Sequence, residues 1–208
     1  MEVEVAEILL KNNAVTLRPD KPFTYVSGII SPIYCDNRLL MSNVAERRKI
    51  VDFYLEAIKK NNLDADVIAG TESAGIPWSA WIAERLNKPM IFVRKKQKDH
   101  GKENRIEGVM QKGAKVLVIE DLVSTGGSSL AAVESVREQG GDVVACLAIF
   151  SFQMASAEKN FADARCKLVA LSNFWTLVRV AAENGYIKKE EQALVLEWSK
   201  NPEQWGRK

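Results

Sequence analysis

KVLVIEDLVSTGGSSL, residues Lys115–Leu130, runs four apolar residues (Val116–Ile119) straight into two carboxylates, Glu120 and Asp121, and then into Ser124-Thr125-Gly126-Gly127-Ser128. Four apolar residues bounded by turn formers read as a buried strand. A Ser/Thr/Gly cluster that opens a helix is an anion cradle. Its small residues let backbone N–H groups approach a phosphate, and the helix N-terminus adds a favourable dipole. The acidic pair cannot share that phosphate, because like charges about 4 Å apart repel by roughly 4 kcal/mol at an effective dielectric near 20. Glu120 and Asp121 need donors or cations. A phosphorylated sugar satisfies both halves: its phosphate sits in 124–128, and its vicinal hydroxyls donate to the acids, directly or through a divalent metal. A simple helix cap beside a solvated acidic pair is the alternative. Other phosphate motifs fit worse. The chain has no GxGxxG, and Gly108–Lys115 misses the P-loop because Ala114 precedes the lysine and the run leads into a strand instead of following one.

On either side of this stretch, strands and helices alternate. Strands are expected at 67–69, 90–93, 116–119, 143–149 and 167–170, and helices at 76–86, 128–139 and 155–161, a pattern that implies a parallel sheet covered on both faces. The fold class is therefore α/β. Helices are also expected at 2–12, 44–60, 174–184 and 188–199 from apolar residues recurring at helical spacing. Between 14 and 40, Pro19, Pro22, Gly28 and Pro32 break a β-branched and aromatic stretch into short strands and turns. The expected organisation is an N-terminal helix and small lobe (1–42), a core (43–172) with a mobile loop at 94–108, and C-terminal helices (173–208). Ligands of open parallel sheets bind beyond the carboxyl ends of the strands. That places loops 70–75, 94–108 and 120–128 at the site.

Composition narrows the class. With 208 residues, 47% of them hydrophobic, and a net charge of +2, the chain suits one sizeable domain and gives no global sign of nucleic-acid binding. Cys35, Cys146 and Cys166 are odd in number and lack CxxC spacing, so a disulfide framework or zinc site is not expected and a reducing cytoplasm fits. The acidic start MEVEVAEILLKNN reads as neither signal nor anchor. Loop 94–105 carries six Lys or Arg against two acids. Beside a phosphate site, such cations neutralise charge developing on a leaving group, and a closing lid excludes water.

VLVIEDLVSTGGSS resembles the phosphoribosyl pyrophosphate (PRPP) signature of the type I phosphoribosyltransferases. RKKQKDHGKENRIEG (94–108) resembles the catalytic loop of the orotate phosphoribosyltransferase family, and FTYVSGIISPIYCDNR (23–38) is similar to that family's hood segment over the base. Gly70–Pro77 matches the pyrophosphate loop, with Ser73 and Ala74 at its contact positions. The resemblance implies a type I phosphoribosyltransferase core with a hood lobe, transferring phosphoribose from PRPP to orotate in pyrimidine biosynthesis. It implies catalytic roles for Lys95, Lys98, His100 and Asp121. PRPP contacts would come from Arg94, Lys95, Lys98, His100, Ser73, Ala74, Glu120, Asp121, Leu122, Val123, Ser124, Thr125, Gly126, Gly127 and Ser128, and orotate contacts from Val26, Tyr34, Cys35 and Ser124. Mg²⁺ would be carried mainly by PRPP with no direct protein ligand, and the loop would reach a neighbouring subunit in a homodimer. Two departures stand out. Val26 occupies the place of a lysine found in some members, and Ser151-Phe-Gln-Met lacks an arginine found there, which leaves backbone amides, Arg38 or Ser124 for the orotate carboxylate. The rivals are the same fold acting on a purine or uracil, and a PRPP-sensing regulator without catalysis.

Overall fold

The computed structural model describes residues 1–25, 28–95 and 105–206. Its elements follow the expected alternation. Helix α1 (Glu2–Lys11) leads to short strands β1 (Val15–Leu17), β2 (Phe23–Thr24), β3 (Ile30–Ser31) and β4 (Ile33–Cys35), a 3₁₀ segment (Asn37–Ser42) and helix α2 (Val44–Lys60). β2 and β3 form one antiparallel hairpin, and β1 pairs with β4. Then come β5 (Val67–Thr71), α3 (Gly75–Leu86), β6 (Met90–Val93), β7 (Ile106–Glu107), β8 (Lys115–Val123), α4 (Gly127–Glu138), β9 (Asp142–Ser151), α5 (Ala155–Asp163), β10 (Leu168–Asn173), α6 (Phe174–Glu183) and α7 (Glu191–Lys200).

Six strands make one sheet in the order β10-β9-β8-β5-β6-β7, parallel except for the β6–β7 pair. Alternate residues face two cores, as period-two side-chain geometry requires of a sheet covered on both sides. Ile68, Leu117, Ile119, Leu147 and Ile149 join the core containing α1, α2, α3, α6 and α7, whereas Val67, Ala69, Val116, Val118 and Ala148 join that beneath α4 and α5. Asn43 caps α2 by accepting from the Glu46 N–H, and Asn61 closes the helix, whose last residue, Lys60, is the one expected.

Two strand boundaries differ from the sequence reading, each because of a pairing with another strand. β8 does not end at Ile119 but continues through the acidic pair, because Leu122 and Val123 still find partners in Phe150 and Ser151 of β9. The polar loop contains β7, whose Ile106 is buried against β6. At the start of α2, Val44 is exposed while Glu46, two residues on, is buried.

From β5 the chain winds outward to β6, then returns to place β8 on the other side of β5. The order reverses between these two strands, which opens a crevice beyond their carboxyl ends. Among the described residues no helix is long and apolar enough to cross a membrane.

Candidate active site

The loop after β5 and the loop after β8 meet at that reversal. A cleft of 240 Å³ is lined by Cys35, Asp36, Arg38, Glu72, Ser73, Ala74, Lys95, Glu120, Asp121, Leu122 and Ser128. Gly75 makes the close approach possible. A Cβ at this position would collide with the Ile119 carbonyl oxygen and Thr71 Oγ1, so only glycine lets α3 begin against β8. Thr71 Oγ1 donates to the Ile119 carbonyl at 3.1 Å and locks the two strand ends together.

The acidic pair is held from behind. Tyr54 Oη donates to the Glu120 carbonyl at 2.6 Å, and Asn37 Nδ2 donates to the Asp121 carbonyl at 2.7 Å. Burial, followed by the charges of Asp121 and Glu120, pushes the Tyr54 phenol well above its ordinary range, so it stays a donor. The Glu120 side chain is buried and accepts from Ser128 Oγ (3.3 Å), Ser129 Oγ (3.1 Å) and the Asp121 N–H (3.1 Å). Asp121 is half-buried and opens on the cleft. Desolvation, then the Glu120 charge and a hydrogen bond with its side chain, raises the Asp121 carboxyl from 3.8 to about 7. The two neighbouring acids are therefore unequal in surroundings: one is satisfied within the fold, and the other is half-protonated near neutrality and faces the cleft.

The cradle follows. Gly126 precedes α4 at φ 85° and sits against Phe161, whose Cε2 would lie 2.7 Å from an added Cβ. Asn160 Nδ2 donates to the Thr125 carbonyl at 3.0 Å and fixes the loop from α5. Ser124, Thr125, Gly127 and Ser128 are exposed, while the Val123 side chain is buried in the core beneath α4 and has only its backbone to offer a ligand.

Lys95 lines the cleft, and its N–H donates to Glu72 Oε2 at 2.7 Å. Arg94 sits at the loop stem, 3.6 Å from Glu107, with its N–H on the Arg105 carbonyl at 2.8 Å. Arg105 clamps this stem by donating to the Arg94 and Lys95 carbonyls at 2.9 and 3.2 Å. Lys98, His100 and Val26 lie outside the described residues. Tyr34 is exposed, with its ring 5.5 Å from that of Phe23. Cys35 lines the cleft as a thiol raised well above its usual range by burial and by the charges of Asp121 and Asp36. Trp78, with Nε1 buried and unpaired, packs in the core edge-on to Trp81 at 5.1 Å.

Sequence reading missed Tyr54, Asn37 and Glu72. Tyr54 carries the apolar period of α2, which hides its hydroxyl. Asn37 and Glu72 each lie inside a stretch already singled out, but nothing local says what they bond.

Residues 42–183 match the phosphoribosyl transferase domain family. The chain is 51% identical over 202 residues to an orotate phosphoribosyltransferase of Coxiella burnetii, covering 97% of each. Among solved structures, orotate phosphoribosyltransferase from Aeropyrum pernix matches with a TM-score of 0.76 at 30% identity, over 88% of this chain and 99% of that one. Leishmania donovani UMP synthase matches with a TM-score of 0.80 at 28% identity, over 95% of this chain but only 42% of that longer one.

Proposed function

The chain belongs to the orotate phosphoribosyltransferases of the phosphoribosyl transferase domain family, and from that premise we propose that it moves the 5-phosphoribosyl group from PRPP to orotate, yielding orotidine 5′-monophosphate and pyrophosphate in pyrimidine biosynthesis. The observation that carries the reading is the single cleft at the β5–β8 reversal, where Asp121, the N-terminus of α4 and the loop starting at Glu72 converge.

The 5′-phosphate lies in the cradle 124–128, on backbone N–H groups and the Ser124, Thr125 and Ser128 hydroxyls. Asp121, with Glu120 behind it, accepts from the ribose hydroxyls. The pyrophosphate faces Ser73, Ala74 and Lys95, and loop 94–105 closes over it with Lys98 and His100. The C1–O bond to pyrophosphate breaks, leaving an electron-poor sugar carbon. A ring nitrogen of orotate then donates its electron pair to that carbon, and the proton of that nitrogen leaves to solvent or to the departing pyrophosphate. Arg94 at the stem, together with Lys95, Lys98 and His100, neutralises charge as it develops on the departing oxygens. No covalent nucleophile is needed. Orotate sits near Ser124 under the β2–β3 hairpin, with Tyr34 and Cys35 on the same lobe.

Mg²⁺ fits this donor set. Among the described residues no group of three or more His, Cys, Asp or Glu side chains could hold a metal, yet Asp121 and Glu72 open on the cleft. Such a site suits a hard cation that takes most of its oxygens from the diphosphate and sugar. When bound, the ion supplies charge neutralisation to the leaving group. The enzyme is a cytoplasmic homodimer whose loops reach across to the neighbouring subunit, a reading supported by the resemblance of 94–108 to the family's catalytic loop.

The test is pyrophosphate release from PRPP and Mg²⁺ with orotate, hypoxanthine or uracil as acceptor. Release with orotate alone is expected. Release with hypoxanthine or uracil but not orotate, or with no base at all, refutes the assignment.

A further inference from the structure

A second hollow, of 610 Å³, opens on Ser124 and Thr125 at the mouth of the cradle. Three separate stretches wall it, together with Trp175 of α6: Tyr25 and Ile29 of the β2–β3 hairpin region, Phe152–Ser156 after β9, and Trp198–Glu203 at the end of α7. The first and third lie outside the 42–183 domain match. They are nevertheless tied to each other. Trp198 Nε1 donates to the Ile30 carbonyl at 3.1 Å, from a ring with no exposure that sits 5.4 Å from Phe152 and 5.7 Å from Phe174. The segments that flank the shared transferase domain thus meet over the position where an acceptor would approach the sugar.

The chemistry of the lining is also specific. Phe152, Met154 and Trp198 give it an apolar side suited to a planar ring, and Lys200 is the one cation among its described lining residues. Lys200 forms no ion pair among the described residues. Arg38 lies in the acid cleft and is committed to Asp36 through bonds of 2.6 and 2.9 Å, and Lys95 lines that same cleft, not this hollow. A carboxylate entering a partly apolar hollow needs a charged donor to offset its lost hydration.

We propose that the C-terminal segment 198–203 is a wall of the acceptor-base site, that Lys200 receives the carboxylate of the base, and that Trp198 is a positioning residue holding the hairpin over it. This rests on the orotate reading above. Lys200 also suits the C-terminus of α7 through the helix dipole, but that role alone would leave substrate kinetics untouched.

The test is steady-state kinetics of the full-length enzyme with Lys200→Met, Lys200→Arg and Trp198→Phe, varying orotate and PRPP separately. Loss of a partly exposed charge-assisted contact should raise the orotate KM about tenfold in Lys200→Met, with kcat and the PRPP KM within about twofold of the parent. Arginine should recover most of the loss. Trp198→Phe should raise the orotate KM without raising the PRPP KM, since a smaller aromatic ring keeps part of the packing on Phe152 and Phe174 while the tie to Ile30 goes. An unchanged orotate KM in Lys200→Met, or KM values for both substrates rising in step, overturns the proposal. A parent enzyme that forms no orotidine monophosphate would instead overturn the orotate reading itself.

Discussion

Replacing Asp121 by Asn should stabilise the protein while impairing it, and the stabilisation should grow with pH. The Asp121 carboxyl titrates near 7 in the fold against 3.8 when unperturbed, chiefly because folding desolvates it beside Glu120. Between those values the unfolded chain has released the proton and the folded chain still holds it. Native protein therefore binds more protons, and stability falls as pH rises. The contribution is zero below about pH 3.8 and reaches its full cost above about pH 7. An ideal group with these limits loses about 2.6 kcal/mol between pH 5 and pH 8, and the half-exposure of Asp121 reduces this to about 1–2 kcal/mol. Asn cannot ionise, so the gap between variant and parent should widen by that amount over the interval, or by about 3–6 °C in Tm for a chain of this length. Urea unfolding of both proteins at pH 5, 6, 7 and 8 measures it, and comparing the pair cancels every other titrating group. Turnover should move the opposite way. Losing the carboxylate that accepts from the ribose should lower kcat/KM for PRPP about 10–100-fold and abolish the parent's rise in that parameter as pH passes 7. Parallel stability profiles for the two proteins, or an Asn variant that loses ground as pH rises, would refute the argument.

Three further substitutions separate the parts of the site. Lys98→Ala should lower kcat about 100-fold or more, because it removes charge stabilisation at the leaving group, and should leave the urea midpoint within about 0.5 kcal/mol of the parent; unaltered kinetics would remove Lys98 from the lid role. Gly126→Ala places a Cβ at φ 85° and 2.7 Å from the Phe161 ring, so it should cost about 2–4 kcal/mol in unfolding free energy from backbone strain and overpacking and raise the PRPP KM. A neutral result in denaturation would mean that Phe161 yields freely. Tyr54→Phe deletes the 2.6 Å bond to the Glu120 carbonyl and should cost about 1–2 kcal/mol in chemical denaturation, with kcat/KM for PRPP falling as the acid pair loses its backing; stability lost with kinetics intact would make Tyr54 purely structural.

What could be read from the sequence divides along physical lines. The β8–α4 stretch was legible because each of its features is local: an apolar run, a charge pair and a glycine cradle are adjacent in the chain, and their adjacency is itself the chemistry. The alternating strands and helices were legible for the same reason, since a strand buried on both faces is written as an unbroken apolar run and a helix as apolar residues at its own spacing. The strand ends were less so. Where β8 stops depends on whether Leu122 and Val123 find partners, and those partners, Phe150 and Ser151, stand near the far end of β9. The unequal surroundings of Glu120 and Asp121 lie further from view. Two neighbouring acids look equivalent in a sequence, but Ser128, Ser129 and the Asp121 N–H all turn to Glu120, leaving Asp121 to bear the desolvation. The contact between Trp198 and Ile30 spans 168 positions, and each residue alone reads as ordinary core. Specificity for the base, on this view, is assembled from such long-range meetings around a sugar-phosphate site that the chain spells out in one run. That is why the sugar-phosphate half of the site was legible from the residues of one sixteen-residue run, whereas the acceptor was legible only through the family resemblance of 23–38 and 94–108 and the walls around it need the fold.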